Sequence, residues 1–219
     1  MKKLIVFSGI DSAGKSTQID LLKNELAKKK IRYKVIWSRG GYTAWFEFMK
    51  NFLRIILSKK LPKPGRNEDR KQMFEKKSVS KIWYILGMLD LIRLYAITFR
   101  LYRVFGITII ADRYLWDTYV DFKMSLKNIN LEKSLLWKLA ILLSPKADKS
   151  IILYVSPEVS YKRSIDKNEP HFDSLEIREN RMFIYKNLMI HKKWKIEIDT
   201  EKQDINFTFM QIKDFIYGI

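Results

Sequence analysis

The 219-residue chain contains no cysteine, which excludes a disulfide framework and any thiolate metal site. Histidine is almost absent: His171 and His191 are the only two, so a histidine-rich metal centre is excluded as well. Acidic residues are few, with 24 Asp and Glu against 42 Lys and Arg, giving a formal net charge of +18. A surface of that sign attracts nucleotides, nucleic acid or anionic headgroups. Long uncharged apolar runs are also missing. The best candidate, 82–99, is interrupted by Asp90 and Arg93, and the apolar start of the chain stops at Ser8, short of a signal-peptide core. No repeat and no extended linker divides the chain, so a single domain over 1–219 is expected.

What is present is an alternation of strand and helix patterns. Short apolar runs at 4–7, 33–37, 107–111, 151–155 and 194–198 read as strands. Helical spacing reads at 16–29, 45–57, 71–103, 131–143, 158–164, 174–188 and 207–216. Such alternation predicts an α/β fold in three layers, a five-stranded parallel sheet flanked by helices. The run at 194–198 alternates apolar and polar residues and is expected at an edge.

Four motifs carry chemistry. Gly9-Ile-Asp-Ser-Ala-Gly-Lys-Ser16 is a G-x-x-x-x-G-K-S loop between a strand and a helix. Its backbone N–H groups (Gly9, Ser12, Ala13, Gly14 and Thr17 among the residues concerned) suit phosphate oxygens. Lys15 suits the terminal phosphates, and Ser16 suits Mg2+. Asp112-Arg-Tyr114 ends an apolar strand, at the sheet edge where ligands of open α/β sheets sit. Asp112 is a candidate for a metal-bound water and Arg113 for an acceptor phosphate; the alternative is a plain Asp–Arg surface pair. Arg39 lies after the second strand in Ser38-Arg-Gly-Gly41. The fourth motif, Lys162-Arg-Ser-Ile-Asp-Lys167, is basic and suits a lid of about 162–175 closing over developing phosphoryl charge.

In this order the motifs resemble the thymidylate kinases, within the nucleoside-monophosphate-kinase group of P-loop proteins, and the resemblance spans nearly the whole chain. It rests on Phe7 to Thr17, on Asp112-Arg-Tyr114 and on Val155-Ser-Pro-Glu158 followed by Lys162-Arg163. Asp173-Ser-Leu-Glu176 with Arg181 and Tyr185, and Ile198-Asp-Thr200, complete it. The resemblance implies a P-loop kinase fold, with ATP as donor and Mg2+ as cofactor. It puts Asp11 near an acceptor sugar hydroxyl, Arg113 on the acceptor phosphate, and Arg163 and Thr200 beside the adenine. The catalytic set it implies is Lys15, Asp11, Asp112, Arg113 and Arg163, with Ser16 and Asp112 toward the metal.

The acceptor half departs from the pattern. Asp117 stands where the family carries Ser, and Val120-Asp121-Phe122 follow. Trp83-Tyr84 is the expected counterpart of the base-stacking aromatic, with Met88 where an Arg is usual and Arg93 as the nearest alternative; Ser174 also replaces an Arg. The expected acceptor set is therefore Asp11, Arg39, Tyr84, Met88, Arg113, Asp117 and Asp121. The acceptor is dTMP or a related nucleoside monophosphate on one reading. On another it is a sugar or lipid-linked sugar, with Asp117 or Asp121 accepting from its hydroxyls or acting as base. A third reading, nucleotide or nucleic-acid binding without catalysis, finds no recognition helix or RNA-binding signature in its favour. The apolar, basic stretches 45–57 and 82–102 are read as a buried helix pair, a homodimer face or a surface for an anionic membrane. A cytoplasmic protein is expected, with peripheral membrane contact as the alternative.

Overall fold

The computed structural model describes residues 3–38, 46, 77–126, 128–168 and 173–218. Five strands form one all-parallel sheet: β1 (Leu4–Ser8), β2 (Tyr33–Trp37), β3 (Thr108–Asp112), β4 (Lys149–Tyr154) and β5 (Ile196–Asp199), in the order β2-β3-β1-β4-β5. The three central strands are the nearly unbroken apolar runs, because burial on both faces leaves no side for polar residues. β2 and β5 are the edges, and both carry exposed side chains.

Among the described residues these helical segments cover the sheet: α1 (Lys15–Lys28), α2 (Lys77–Ile92), α3 (Phe99–Val104), α4 (Leu115–Ser125), α5 (Leu135–Leu143), α6 (Pro157–Asp166), α7 (Leu175–Ile190) and α8 (Ile205–Tyr217). A π-helical turn, Arg93–Thr98, joins α2 to α3. Alternate strand residues point to opposite faces. Ile5, Phe7, Ile110, Ile151 and Leu153 therefore pack with α1, α7 and α8. Leu4, Val6, Ile109 and Ala111 pack with α2, Tyr95, Phe99, Phe122 and Trp137 on the other face. The three-layer expectation holds.

Helix starts follow local chemistry. Ser156 and Ser174 accept from the N–H of Val159 and Ile177, and Asp204 accepts from those of Asn206 and Phe207. Ser174, the residue found in place of an Arg, is thus the cap of α7. The largest departures from expectation are one late helix start and one helix that was not expected. Helix 131–143 begins only at Leu135, and α4 follows Asp112-Arg-Tyr114 directly, where the aspartates had hidden its apolar period. The expected helix 45–57 lies outside the described residues except Phe46, which packs on Trp83.

One stretch, Ser80–Val104, is long and apolar enough to cross a membrane by length and composition. Its inner row, Tyr84, Met88, Leu91, Tyr95 and Phe99, is nevertheless buried in the core. That explains the apolarity of this inner face.

Candidate phosphate-binding and acceptor site

The carboxyl ends of β1, β2 and β3 lie side by side, with Phe7 and Trp37 both in register with Asp112. The chain leaving β1 turns at Gly9, whose φ is +131°. A Cβ there would sit 1.9 Å from the carbonyl oxygen of Leu153, so only glycine fits. Gly14, at φ +88°, caps α1 in the left-handed region. Its conformation alone requires glycine.

Lys15 is buried and folds back, donating to the carbonyls of Gly9 (2.9 Å) and Ile10 (2.7 Å). Burial, then the neighbouring Arg113, lower its pKa to about 8. Asp112 is shifted the other way: burial raises its pKa, opposed by Lys15 and Arg113. Its Oδ1 is buried with no hydrogen-bond partner.

Arg113 is held in the left-handed region at φ +75°, a costly backbone state for a non-glycine residue. Its N–H donates to the Phe7 carbonyl (2.8 Å), and its own carbonyl accepts from the Ser38 hydroxyl (2.9 Å). The buried guanidinium binds Asp11 through Nη2, while Nη1 is buried without a partner. Burial opposes its charge, but Tyr185, Asp11, Asp121 and Asp117 outweigh that and raise its pKa.

One cavity of about 220 Å3 gathers Asp11, Ser12, Gly14, Lys15, Ser16, Thr17, Asp112 and Arg113. Trp37 and Lys167 complete its wall. Of the donor residues expected from sequence, Ser12, Gly14, Lys15, Ser16 and Thr17 line this cavity with Arg113, and Gly9 and Ala13 do not. Arg163 and Thr200 form a neighbouring unit: Arg163 donates to the Thr200 carbonyl (3.0 Å), and the Thr200 hydroxyl donates to the carbonyl of Ala13 (3.1 Å). Ser16 and Asp112 share the cavity and fit a Mg2+ ion, which commonly takes one or two protein oxygens beside substrate phosphates and water. The orphaned Asp112 Oδ1 is the atom such an ion, or its water, would satisfy. Among the described residues no cluster of three or more His, Asp or Glu offers a rival site.

The acceptor residues divide differently. Arg39 lies outside the described residues, as does the stretch 169–172 of the expected lid. Tyr84 and Met88 are not at the cavity. Met88 is 0% exposed, and Tyr84 donates to the Ser134 hydroxyl (2.6 Å) and sits edge-on to Phe122. Helical spacing puts both in the inner row of α2, so their placement is that of core residues. Asp117 is also turned inward, accepting from the Ser8 and Tyr185 hydroxyls and from the N–H groups of Gly9 and Tyr114. Asp121 is buried against Arg181. Neither aspartate lines the cavity. Trp37, 48% exposed on its wall, was missed, because an aromatic ending an edge strand carries no motif. Of the lid cations, Lys167 reaches the cavity, whereas Lys162 is exposed at the surface.

No family model and no curated protein matches the chain. Among solved structures, thymidylate kinase from Ehrlichia chaffeensis aligns over 98% of this chain and 98% of its own, with a TM-score of 0.56 and 18% sequence identity. Its full-length coverage and the five-stranded parallel sheet agree: the chain has a thymidylate kinase-like P-loop fold.

Proposed function

We propose that the chain is an ATP-dependent kinase that moves the γ-phosphoryl group to a small phosphorylated acceptor, a nucleoside monophosphate such as dTMP. One observation carries this reading. Arg113 and Asp112, which keep Nη1 and Oδ1 buried without partners, line one cavity with Lys15 and the glycine loop. Buried polar atoms normally find partners, so a cation and a carboxylate left open there suit an anion and a hydrated metal.

In this reading the loop N–H groups and Lys15 hold the donor phosphates. Arg113, tied to Asp11 and clamped by its own backbone bonds, orients the acceptor phosphate. An acceptor phosphate oxygen attacks the γ-phosphorus, the bond to the β–γ bridging oxygen breaks, and ADP leaves; no covalent protein intermediate forms. Mg2+, held by Ser16 and Asp112, supplies charge neutralisation at the donor phosphates. Lys167 adds positive charge from the lid side. Arg163 and Thr200 border the adenine. Tyr84 and Met88 are buried and outside this cavity, and Trp37 is a ring on its wall available to a base.

An ATP-consumption screen against nucleoside monophosphates and phosphorylated or free sugars tests the assignment. Turnover with dTMP or another nucleoside monophosphate is expected; failure of all of these while a sugar turns over would end the nucleotide reading. In the active pair, Arg113→Ala is expected to raise the acceptor KM by about 10- to 100-fold, the range for losing a charge-assisted hydrogen bond, with the ATP Kd little changed.

A second reading, a cytoplasmic kinase that meets a lipid-linked acceptor at a membrane, is favoured by one surface. Ile82, Leu89, Ile97, Leu101 and Val104 are exposed along α2, the π-helical turn and α3, with Leu135 and Leu142 on the neighbouring α5. Within 77–106 the one acid, Asp90, is buried and paired with Arg93, whereas Lys81, Arg100 and Arg103 are cationic. An apolar row bordered by cations suits an anionic bilayer. Co-sedimentation with phosphatidylserine vesicles at low salt, absent with neutral ones, is expected; no binding to either would remove this reading.

A further inference from the structure

Arg178, on α7, is 1% exposed and among the largest fully buried side chains. No carboxylate pairs with it among the described residues. Its three nitrogens meet neutral oxygens: Nε donates to the Asp173 carbonyl (2.9 Å), Nη1 to the Ser160 hydroxyl and Nη2 to the Ser164 hydroxyl (2.8 Å). A guanidinium stays charged at any physiological pH. Its burial without an acid is costly.

The serines that hold it do not end the chain of contacts. The Ser160 hydroxyl donates to the Asp11 carbonyl (2.7 Å), and the Ser164 and Ser12 hydroxyls lie 2.8 Å apart. Arg178 is thus one bond removed from two consecutive residues of the glycine loop, Asp11 and Ser12. Ser12 sits in the left-handed region at φ +56°, and Asp11 carries the carboxylate that binds Arg113. At its other end Arg178 holds the Asp173 carbonyl, just before α7. Arg181, one turn along α7, holds the Asp173 carboxylate at 3.6 Å. Two arginines of one helix therefore fix Asp173, and one of them also braces the phosphate loop.

We propose that Arg178 is a positioning residue for the donor polyphosphate. Its charge, met by a carbonyl, two hydroxyls and the face of the Tyr161 ring but by no carboxylate among the described residues, lies behind the loop, and the incoming phosphates supply the missing negative charge. Its fork holds Asp11 and Ser12 in the conformation that presents their N–H groups, while tying the same loop to Asp173 at the start of α7. The inference rests on the donor reading given above and deepens it. It differs from a purely structural role in one respect. A structural arginine supports the whole pocket alike, whereas this one acts through phosphate charge.

The test compares MgATP, tripolyphosphate and adenosine binding to the full chain by calorimetry, for the wild type, Arg178→Met, Arg178→Gln and Arg178→Lys. Arg178→Met is expected to weaken MgATP and tripolyphosphate binding by about tenfold or more, as loss of one nearby cation from a polyanion site at partial burial implies. Adenosine binding is expected to stay within about threefold, since adenosine carries no phosphate. Arg178→Lys, which keeps the charge, is expected to recover most of the MgATP affinity. Where Arg178→Met does not fold, Arg178→Gln carries the same comparison, because it keeps amide donors for the serines and removes the charge. Equal losses for MgATP and adenosine, or wild-type MgATP affinity in the neutral variants, overturn the proposal. Wild-type protein that binds neither MgATP nor tripolyphosphate overturns the donor reading itself, a different result from a wild type that binds and a neutral variant that binds equally well.

Discussion

Lys15→Ala is expected to lower kcat by about 100- to 1,000-fold, the usual cost of removing one preorganised charge at a developing oxyanion. It is expected to do so without destabilising the fold. Lys15 is buried, and burial together with Arg113 brings its pKa down from 10.5 to about 8. The folded chain therefore disfavours the ammonium relative to the unfolded chain, by roughly 3 kcal/mol at neutral pH. A lowered folded pKa means that the unfolded state binds more protons between pH 8 and 10.5. That penalty is complete below pH 8 and fades as pH rises through that window. Removing the side chain removes the penalty and gives up two hydrogen bonds, to Gly9 and Ile10. The two changes oppose each other, so the thermal midpoint is expected to stay level or to rise by a few degrees. Steady-state kinetics and a melting curve on the same preparation check the pair of outcomes. Full activity in Lys15→Ala would remove the phosphate-loop assignment. Loss of activity only alongside a collapse in stability would make Lys15 a structural residue.

The donor half of this site was legible because its geometry is local. Gly9, Gly14, Lys15 and Ser16 lie within eight residues, and one strand–loop–helix unit sets all their positions. Asp112 and Arg113 were legible for the same reason, since a buried strand must end at the ligand edge of the sheet. The acceptor half was not, because it depends on which face of a helix turns inward. Tyr84 and Met88 are four apart, a spacing as suited to a core row as to a binding surface, and the packing of α2 against β1 and β3 decides for the core. The π turn at 93–98 keeps Tyr95 and Phe99 on that same row, which no sequence period predicts. Arg178 was invisible for a related reason: nothing in the sequence says that a charged residue of α7 will be drawn beneath the glycine loop by two serines of α6.

Asp117→Ala is expected to destabilise the fold by about 4 kcal/mol, near the upper end for a single substitution, and to leave the acceptor KM of the folded enzyme within about threefold of the wild type. The side chain is 0% exposed and accepts from four donors belonging to three parts of the molecule. The Ser8 hydroxyl (2.6 Å) and the Gly9 N–H (3.3 Å) belong to the phosphate loop and its strand, the Tyr114 N–H (2.9 Å) to the start of α4, and the Tyr185 hydroxyl (2.6 Å) to α7. Alanine would leave these donors buried without partners, each worth about 1 to 3 kcal/mol when orphaned, partly relieved by hydroxyl rotation and water. Asparagine would fare only somewhat better, since either orientation turns its amide nitrogen toward a backbone N–H, of Tyr114 or of Gly9, that cannot accept. The arrangement is doubled. Asp117 and Asp121, four apart on α4, meet Tyr185 and Arg181, four apart on α7 in the opposite order, as antiparallel helices require. These contacts bring the helix after Asp112-Arg-Tyr114 and the helix after the lid onto the back of the glycine loop, and they surround Arg113 with the charge that keeps it ionised. On this account the aspartate found where the family carries a serine belongs to the scaffold of the site, not to the acceptor. Thermal denaturation without ligand, with acceptor kinetics well below the new midpoint, separates the two. A midpoint lowered by about 10 °C with an unchanged acceptor KM fits the scaffold role, whereas a wild-type midpoint with a raised acceptor KM would return Asp117 to the acceptor.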